Sequence, residues 1–209
     1  MSETYFKAIR PDGTDWWTGK FRWLPKDGII PEGGWLVEHP APGPVGGCDA
    51  AGYLSVATAP TDCTGMAWPL RLLRVEPVGE VWTPHPYNLP NKRAAQAWWV
   101  IEERPAHEAL GPQGPEVAAL LKRIRGLTPG EMSALDTARG SAPAALLDAA
   151  RAASREAAWD ATLEAAWDAP MTAVLDAVLA VLVRDLIAPE QYDILTEPWR
   201  TVMGDLSNE

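Results

Sequence analysis

The chain has 209 residues, a formal charge of −10, two cysteines and eleven tryptophans. At 47% hydrophobic and 22% charged it has the composition of a folded globular protein, not a disordered one. So acidic a balance argues against a general nucleic-acid binder, which needs clustered Lys and Arg to neutralise phosphates.

The first ten residues carry Glu3, Lys7 and Arg10 without an apolar run, so no signal peptide is expected. The most apolar stretch, Ala173 to Val183, is interrupted by Asp176 and falls short of the roughly 20 residues of a membrane span. Cys48 and Cys63 form no CxxC pair and no His stands at ligand spacing beside them. A soluble protein of the reduced cytoplasm is the expectation.

Residues 1–105 hold thirteen of the twenty prolines and eight of the tryptophans, at a charge of −2. Residues 106–209 are alanine-rich and carry −8. The shift predicts an α+β protein: a small Trp/Pro-rich β-sheet domain over 1–105, a Gly/Pro linker over 106–115, and an alanine-rich helical domain over 116–209.

In chain order, Tyr5 to Arg10 is a strand candidate, closed by the turn residues Pro11-Asp12-Gly13. Trp16 to Trp23 predicts a second strand or hairpin arm, and Trp35 to Glu38 a short third. Gly52 to Ala57 has the look of a buried strand. Thr61 is placed to cap a short helix over Asp62 to Ala67. Leu70 to Val75 alternates as a strand, and Gly79 to Thr83 continues the β pattern after a break at Pro77. A helix over Asn91 to Ala97 would lead into a last strand, Gln96 to Glu102. In the adjacent pairs Trp16-Trp17 and Trp98-Trp99, strand alternation sends one indole to each face. The helical half is expected to cover the outward ones.

Pro115 to Arg125 spaces Val117, Leu120, Leu121 and Ile124 on one helical face. Its basic cluster Lys122-Arg123-Ile124-Arg125 suits the negative end of a helix dipole. Thr128 and Glu131 have the spacing of a capping box, opening a helix to about Arg139. Further helices are predicted from Ser141 to about Ala169, from Thr172 to Ile187, and from Pro189, with Pro198 ending or kinking the last. Ala157-Ala158-Trp159-Asp160-Ala161 recurs eight residues later as Ala165-Ala166-Trp167-Asp168-Ala169. On a helix this puts Trp159, Leu163 and Trp167 on one broad side, either a packing stripe or an aromatic face for a partner.

No nucleophile elbow, phosphate loop, dinucleotide fingerprint or metal-ligand spacing occurs. The three histidines, His39, His85 and His107, lie in loop-like contexts. His85, between Pro84 and Pro86, is held rigidly enough to line a site.

Tyr5 to Asp15, Gly52 to Ala57, Arg71 to Val81, the alanine-tryptophan-aspartate repeats, Val183 to Ile187 and Tyr192 to Gly204 resemble stretches of uncharacterised proteins of actinobacteria and their phages. That resemblance implies a phage or mobile-element context and supplies no mechanism. Arg10 at the end of a first strand, Gly52-Tyr53-Leu54-Ser55, and then a helix and a strand resemble the ADP-ribosyltransferase scaffold more weakly. There, resemblance implies NAD as cofactor, with Arg10 on the pyrophosphate, Tyr53 and Ser55 in the cleft, and Glu80 or Glu102 as the acid. The chain departs from that scaffold in its short spacing and in having neither a Ser-Thr-Ser run nor a Gln/Glu-x-Glu motif.

The leading expectation is a non-enzymatic accessory protein that uses no cofactor or metal. It would act by protein–protein interaction, with Trp159, Leu163 and Trp167 as contact residues and no nucleic-acid or membrane partner. A homo-oligomer is compatible with it. The alternative is an NAD-dependent ADP-ribosyltransferase-like enzyme using Arg10, Tyr53, Ser55 and Glu80. A structural virion or assembly protein is the third.

Overall fold

The computed structural model describes residues 3–139, 144–153 and 172–206. The fold is α+β. The chain divides into two compact units, Met1–Ala109 and Leu110–Glu209. Within the stretch expected as a linker, Ala106–Leu110 forms a 3-10 turn and the first helix begins at Gly114.

The first unit is a six-stranded antiparallel sheet in the order β2-β6-β4-β1-β3-β5. Its strands are β1 (Tyr5–Ile9), β2 (Trp35–Glu38), β3 (Leu54–Ala57), β4 (Arg71–Val78), β5 (Lys92–Ala95) and β6 (Ala97–Arg104). One face carries a core of Tyr5, Ile9, Trp23, Leu24, Val37, Leu54, Val56, Leu73, Val75, Ala95, Trp98 and Val100. Trp98 is its centre: the ring is fully buried, Tyr5 meets it edge-on at 5.3 Å, and its indole N–H donates to the Leu54 carbonyl at 3.0 Å. That bond satisfies the one polar group of a large apolar side chain, which a buried indole requires.

Five expectations for this unit are corrected, one of them Gly79 to Thr83, where a lone bridge between Trp82 and Ala94 forms in place of a strand. Trp16 to Trp23 is not a strand. Asp12 accepts from the Thr14 N–H and hydroxyl, and Asp15 from the Thr18 N–H and hydroxyl and the Phe21 N–H. These side-chain bonds give the backbone an alternative to a ladder, and a lone bridge between Thr14 and Arg22 is what pairs. The helix expected over Asp62 to Ala67 shrinks to a 3-10 turn at Pro60–Asp62, and Gly65 takes a φ of 62° that no helix continues through. Asn91 to Ala97 is not a helix: Lys92–Ala95 pairs with β3, and the buried pairing overrides the helical preference of its alanines. Pro77 does not end β4. The pairing of β1 with β4 stops at Tyr5 and Val75, so at Pro77 only β6 is alongside and no N–H is needed on the other edge.

Trp99, on the face opposite Trp98, is covered from within this unit. Its indole donates to the Gly33 carbonyl at 2.8 Å. Gly34 follows at a φ of 97°, where a Cβ would come within 2.8 Å of the Val100 carbonyl oxygen. Only glycine permits that approach.

The second unit is helical: α1 (Gly114–Ile124), α2 (Pro129–Arg139), α3 (Ala144–Ala153), α4 (Thr172–Leu182) and α5 (Pro189–Met203). Thr128 and Glu131 form the expected capping box, with the Thr128 N–H donating to Glu131 at 2.7 Å and the Glu131 N–H to the Thr128 hydroxyl at 3.3 Å. The third helix starts one turn's reach after Ser141, and its expected continuation to Ala169 lies outside the described residues. Thr172 to Ile187 is not continuous: α4 stops at Leu182 and a 3-10 turn spans Arg184–Leu186. Pro198 does not terminate α5, which runs on to Met203.

The basic cluster of α1 has Lys122 and Arg123 in the last turn of the helix, as expected, and Arg123 has a further role. Arg123 lies over the Trp199 ring at 5.2 Å and donates to the Met203 and Asp205 carbonyls, so it also caps α5. Asp176 is nearly buried in α4, and burial holds its carboxyl above the usual carboxylate range against the pull of Arg139, whose Nε donates to it at 2.7 Å. Removing one partner of such a pair leaves an uncompensated buried charge. Arg139→Ala should therefore lower stability by about 3 kcal/mol, and a further Asp176→Leu change should restore most of it. Urea denaturation followed by the helical circular-dichroism signal checks both steps.

Candidate functional site

The chemistry-bearing residues of the first unit converge on a cleft of about 1060 Å³. It opens where two neighbouring strands part. The β1–β3 pairing is confined to Phe6 and Ala57; beyond that point Lys7 and Ala8 on one side and Leu54 and Ser55 on the other become cleft wall. The Asp15-tied loop supplies Trp16, Trp17 and Phe21, and Trp23 forms part of the floor. His39, Tyr53, His85 and Lys92 complete the polar lining.

Lys7 is the unusual member. Along β1 it alternates in phase with Tyr5 and Ile9, both core residues, and it pairs with Leu73 of the same core. Its amine sits 5.0 Å above the Trp23 ring. Among the described residues no carboxylate lies within salt-bridge distance of it and no acceptor takes a hydrogen bond from it. Burial pushes the ammonium down to about 8, against the pull of the Cys63 thiol; the charge on Lys92 adds to the lowering, and Asp15 opposes it. Asp15 is the acidic side chain of the lining, and its oxygens are already engaged. Burial raises its carboxyl, but the bonds from Thr18 and Phe21 outweigh that and hold it below the ordinary value. Burial also depresses the ammonium of Lys92.

Also in the lining, the Tyr53 hydroxyl and His85 Nε2 are hydrogen-bonded at 3.3 Å. Burial first, then Cys48 and Asp49, keep the Tyr53 hydroxyl above its usual value, so it stays a neutral donor. His39 accepts the Ala41 N–H on Nδ1 at 3.2 Å and stacks on Phe21 at 6.4 Å. Cys48 and Cys63 are both free thiols, one exposed and one buried. The Cys63 thiol is pushed up to about 11 by burial, against the Ala8 N–H bond and Lys7.

Of the residues expected for an NAD site, Tyr53 and Ser55 line this cleft and Arg10 and Glu80 do not. Arg10 lies 5.2 Å from the Trp16 ring, and Glu80 is exposed beyond the Gly79 turn. Glu102, the other candidate acid, is held by Arg74 at 2.9 Å. Trp159, Leu163 and Trp167 lie outside the described residues. Among the described residues no group of three His, Cys, Asp or Glu could hold a metal ion, and no helix is long and apolar enough to cross a membrane. Lys7, Lys92 and Asp15 were not legible as site residues, though a lysine in phase with Tyr5 and Ile9 is itself a signal. Comparison of the chain with protein-family models, curated proteins and solved structures found no match.

The depressed Lys7 ammonium has a consequence for stability. Between about pH 8 and its unfolded value of 10.5, the unfolded chain binds more protons at this position than the folded one, so stability rises with pH across that window. Below it the cost of the buried charge is present in full. Lys7→Met should thus raise stability at pH 7 by about 1–2 kcal/mol, allowing for solvent reaching the amine through the cleft. The gain should fade by pH 10.5. Paired urea titrations of the two proteins at pH 7 and pH 10.5 measure it; an equal difference at both would show that Lys7 is not desolvated.

Proposed function

We propose that the first unit is a ligand-binding module that takes a small aromatic anion, such as an aromatic carboxylate, into the β1–β3 cleft. One observation carries the reading. In a chain of charge −10, the cleft is lined by three lysines, Lys7, Lys20 and Lys92, against a single aspartate whose oxygens are occupied. The volume is that of a pocket for a small organic molecule, with aromatic walls for a planar body and a few polar groups to orient it. Trp16, Trp17, Trp23 and Phe21 offer stacking surface, Lys92 offers a cation to the carboxylate, and the Tyr53–His85 pair offers a neutral hydrogen-bonding edge.

A protein partner is the second reading, and exposed aromatics favour it. Trp17 is 87% exposed and Tyr87 97% exposed. An acidic segment of a partner would place its side chain in the same cleft and its backbone against the Trp17 ring. An accessory or assembly role in a phage is a proposal that rests on resemblance alone.

Tryptophan fluorescence reads the first proposal directly, because three indoles line the cleft. Titration with 4-(hydroxymethyl)benzoate should quench it saturably. Benzyl alcohol, lacking the carboxylate, should bind about tenfold more weakly, and Lys92→Gln should weaken the benzoate by a similar factor. Equal affinity for charged and neutral probes, or no saturation, would defeat the proposal.

A further inference from the structure

We propose that Lys7 captures ligands bearing an aldehyde or ketone as a reversible imine, making the cleft a covalent carbonyl-binding site. The inference rests on the ligand-binding reading of the cleft.

Three features of the geometry carry it. The amine stands on the apolar side of a central strand, over an indole, yet forms part of the wall of an open cleft. Among the described residues it has neither a hydrogen-bond acceptor nor a carboxylate within salt-bridge distance, so the Trp23 face is the contact that favours its charged form. A second lysine, Lys92, lines the same cleft. A structural lysine on a sheet is ordinarily paired or extended to water. Desolvation and a neighbouring cation are the two environments that free an amine lone pair at neutral pH, and both act here.

The step is balanced without a co-reactant. The Lys7 Nζ lone pair attacks the carbonyl carbon, a C–N bond forms, and the C=O π pair moves onto oxygen. One Nζ proton passes to that oxygen, giving a carbinolamine. The C–O bond then breaks, the second Nζ proton leaves with the hydroxyl as water, and the C=N bond closes. Amine and carbonyl become imine and water, and nothing is oxidised or reduced.

The test uses the full chain with 4-formylbenzoate and cyanoborohydride, which reduces an imine to a stable secondary amine. Intact mass and peptide mapping then locate the adduct. Binding is followed separately with 4-(hydroxymethyl)benzoate, which cannot form an imine. One adduct at Lys7 is expected, formed about tenfold or more faster than at exposed Lys20, and suppressed by the alcohol. It should disappear in Lys7→Arg and Lys7→Met and persist in Lys92→Arg. Lys7→Arg keeps a cation in place, so an unaltered circular-dichroism spectrum separates loss of the nucleophile from loss of the fold. Adducts spread over surface lysines, or centred on Lys92, while the alcohol still binds would overturn the imine and leave the binding module standing. Failure of the alcohol to bind would remove both.

Discussion

A lysine on the core side of a central strand is the constraint around which the first unit is arranged. Burying an ammonium without a counter-charge is costly, and a protein can answer with a carboxylate, a shed proton or a route to water. Lys7 is given no carboxylate of its own. Asp15, the acidic side chain of the cleft lining, is turned instead to the Thr18 and Phe21 amides. What it has is the face of Trp23, worth about 0.5–2 kcal/mol as a cation–π contact, and an opening in the sheet. The parting of β1 from β3 and the position of Lys7 therefore belong together. A ladder zipped along its whole length would narrow the opening on which the amine depends for solvent.

The same loop that denies Lys7 a counter-ion builds the aromatic wall. Asp12 and Asp15 fold residues 12–21 onto themselves through five side-chain-accepted hydrogen bonds. Trp16 and Trp17 are thereby held at the cleft, with Arg10 against the Trp16 ring. In the helical unit the logic is different. There cations serve carbonyls and buried acids: Arg123 caps α5 and Arg139 holds Asp176. Charge in the second unit closes helix ends, whereas in the first it lines a space.

Much of the architecture could be read from residue order. The strands at Tyr5, Trp35, Leu54, Leu72 and Trp98 announce themselves by alternation or β-branched content, and the Thr128–Glu131 box by its spacing. The failures share a cause. At Asp15 a side chain outcompeted the strand pattern, at Lys92–Ala95 a tertiary pairing outcompeted helical propensity, and at Pro77 the absence of a neighbour removed the reason to stop. The site was less legible than the fold. Tyr53, Ser55 and His85 drew notice as sequence features, but the group that organises them is a lysine in an apolar phase, and convergence across β1, β3, β5 and four connecting segments has no local signature.

Pro84-His85-Pro86 carries a consequence for how the cleft would discriminate. Two pyrrolidine rings fix φ on either side of the histidine, and the Tyr53 hydroxyl holds its ring. The chain here surrendered its freedom during folding, so docking a molecule against this wall need not order it again. Such a wall does not adapt. It would select by shape, tightening on molecules that match its edge and giving no compensation to those that miss by an ångström, while the lysines of the lining supply a longer-ranged and less discriminating pull.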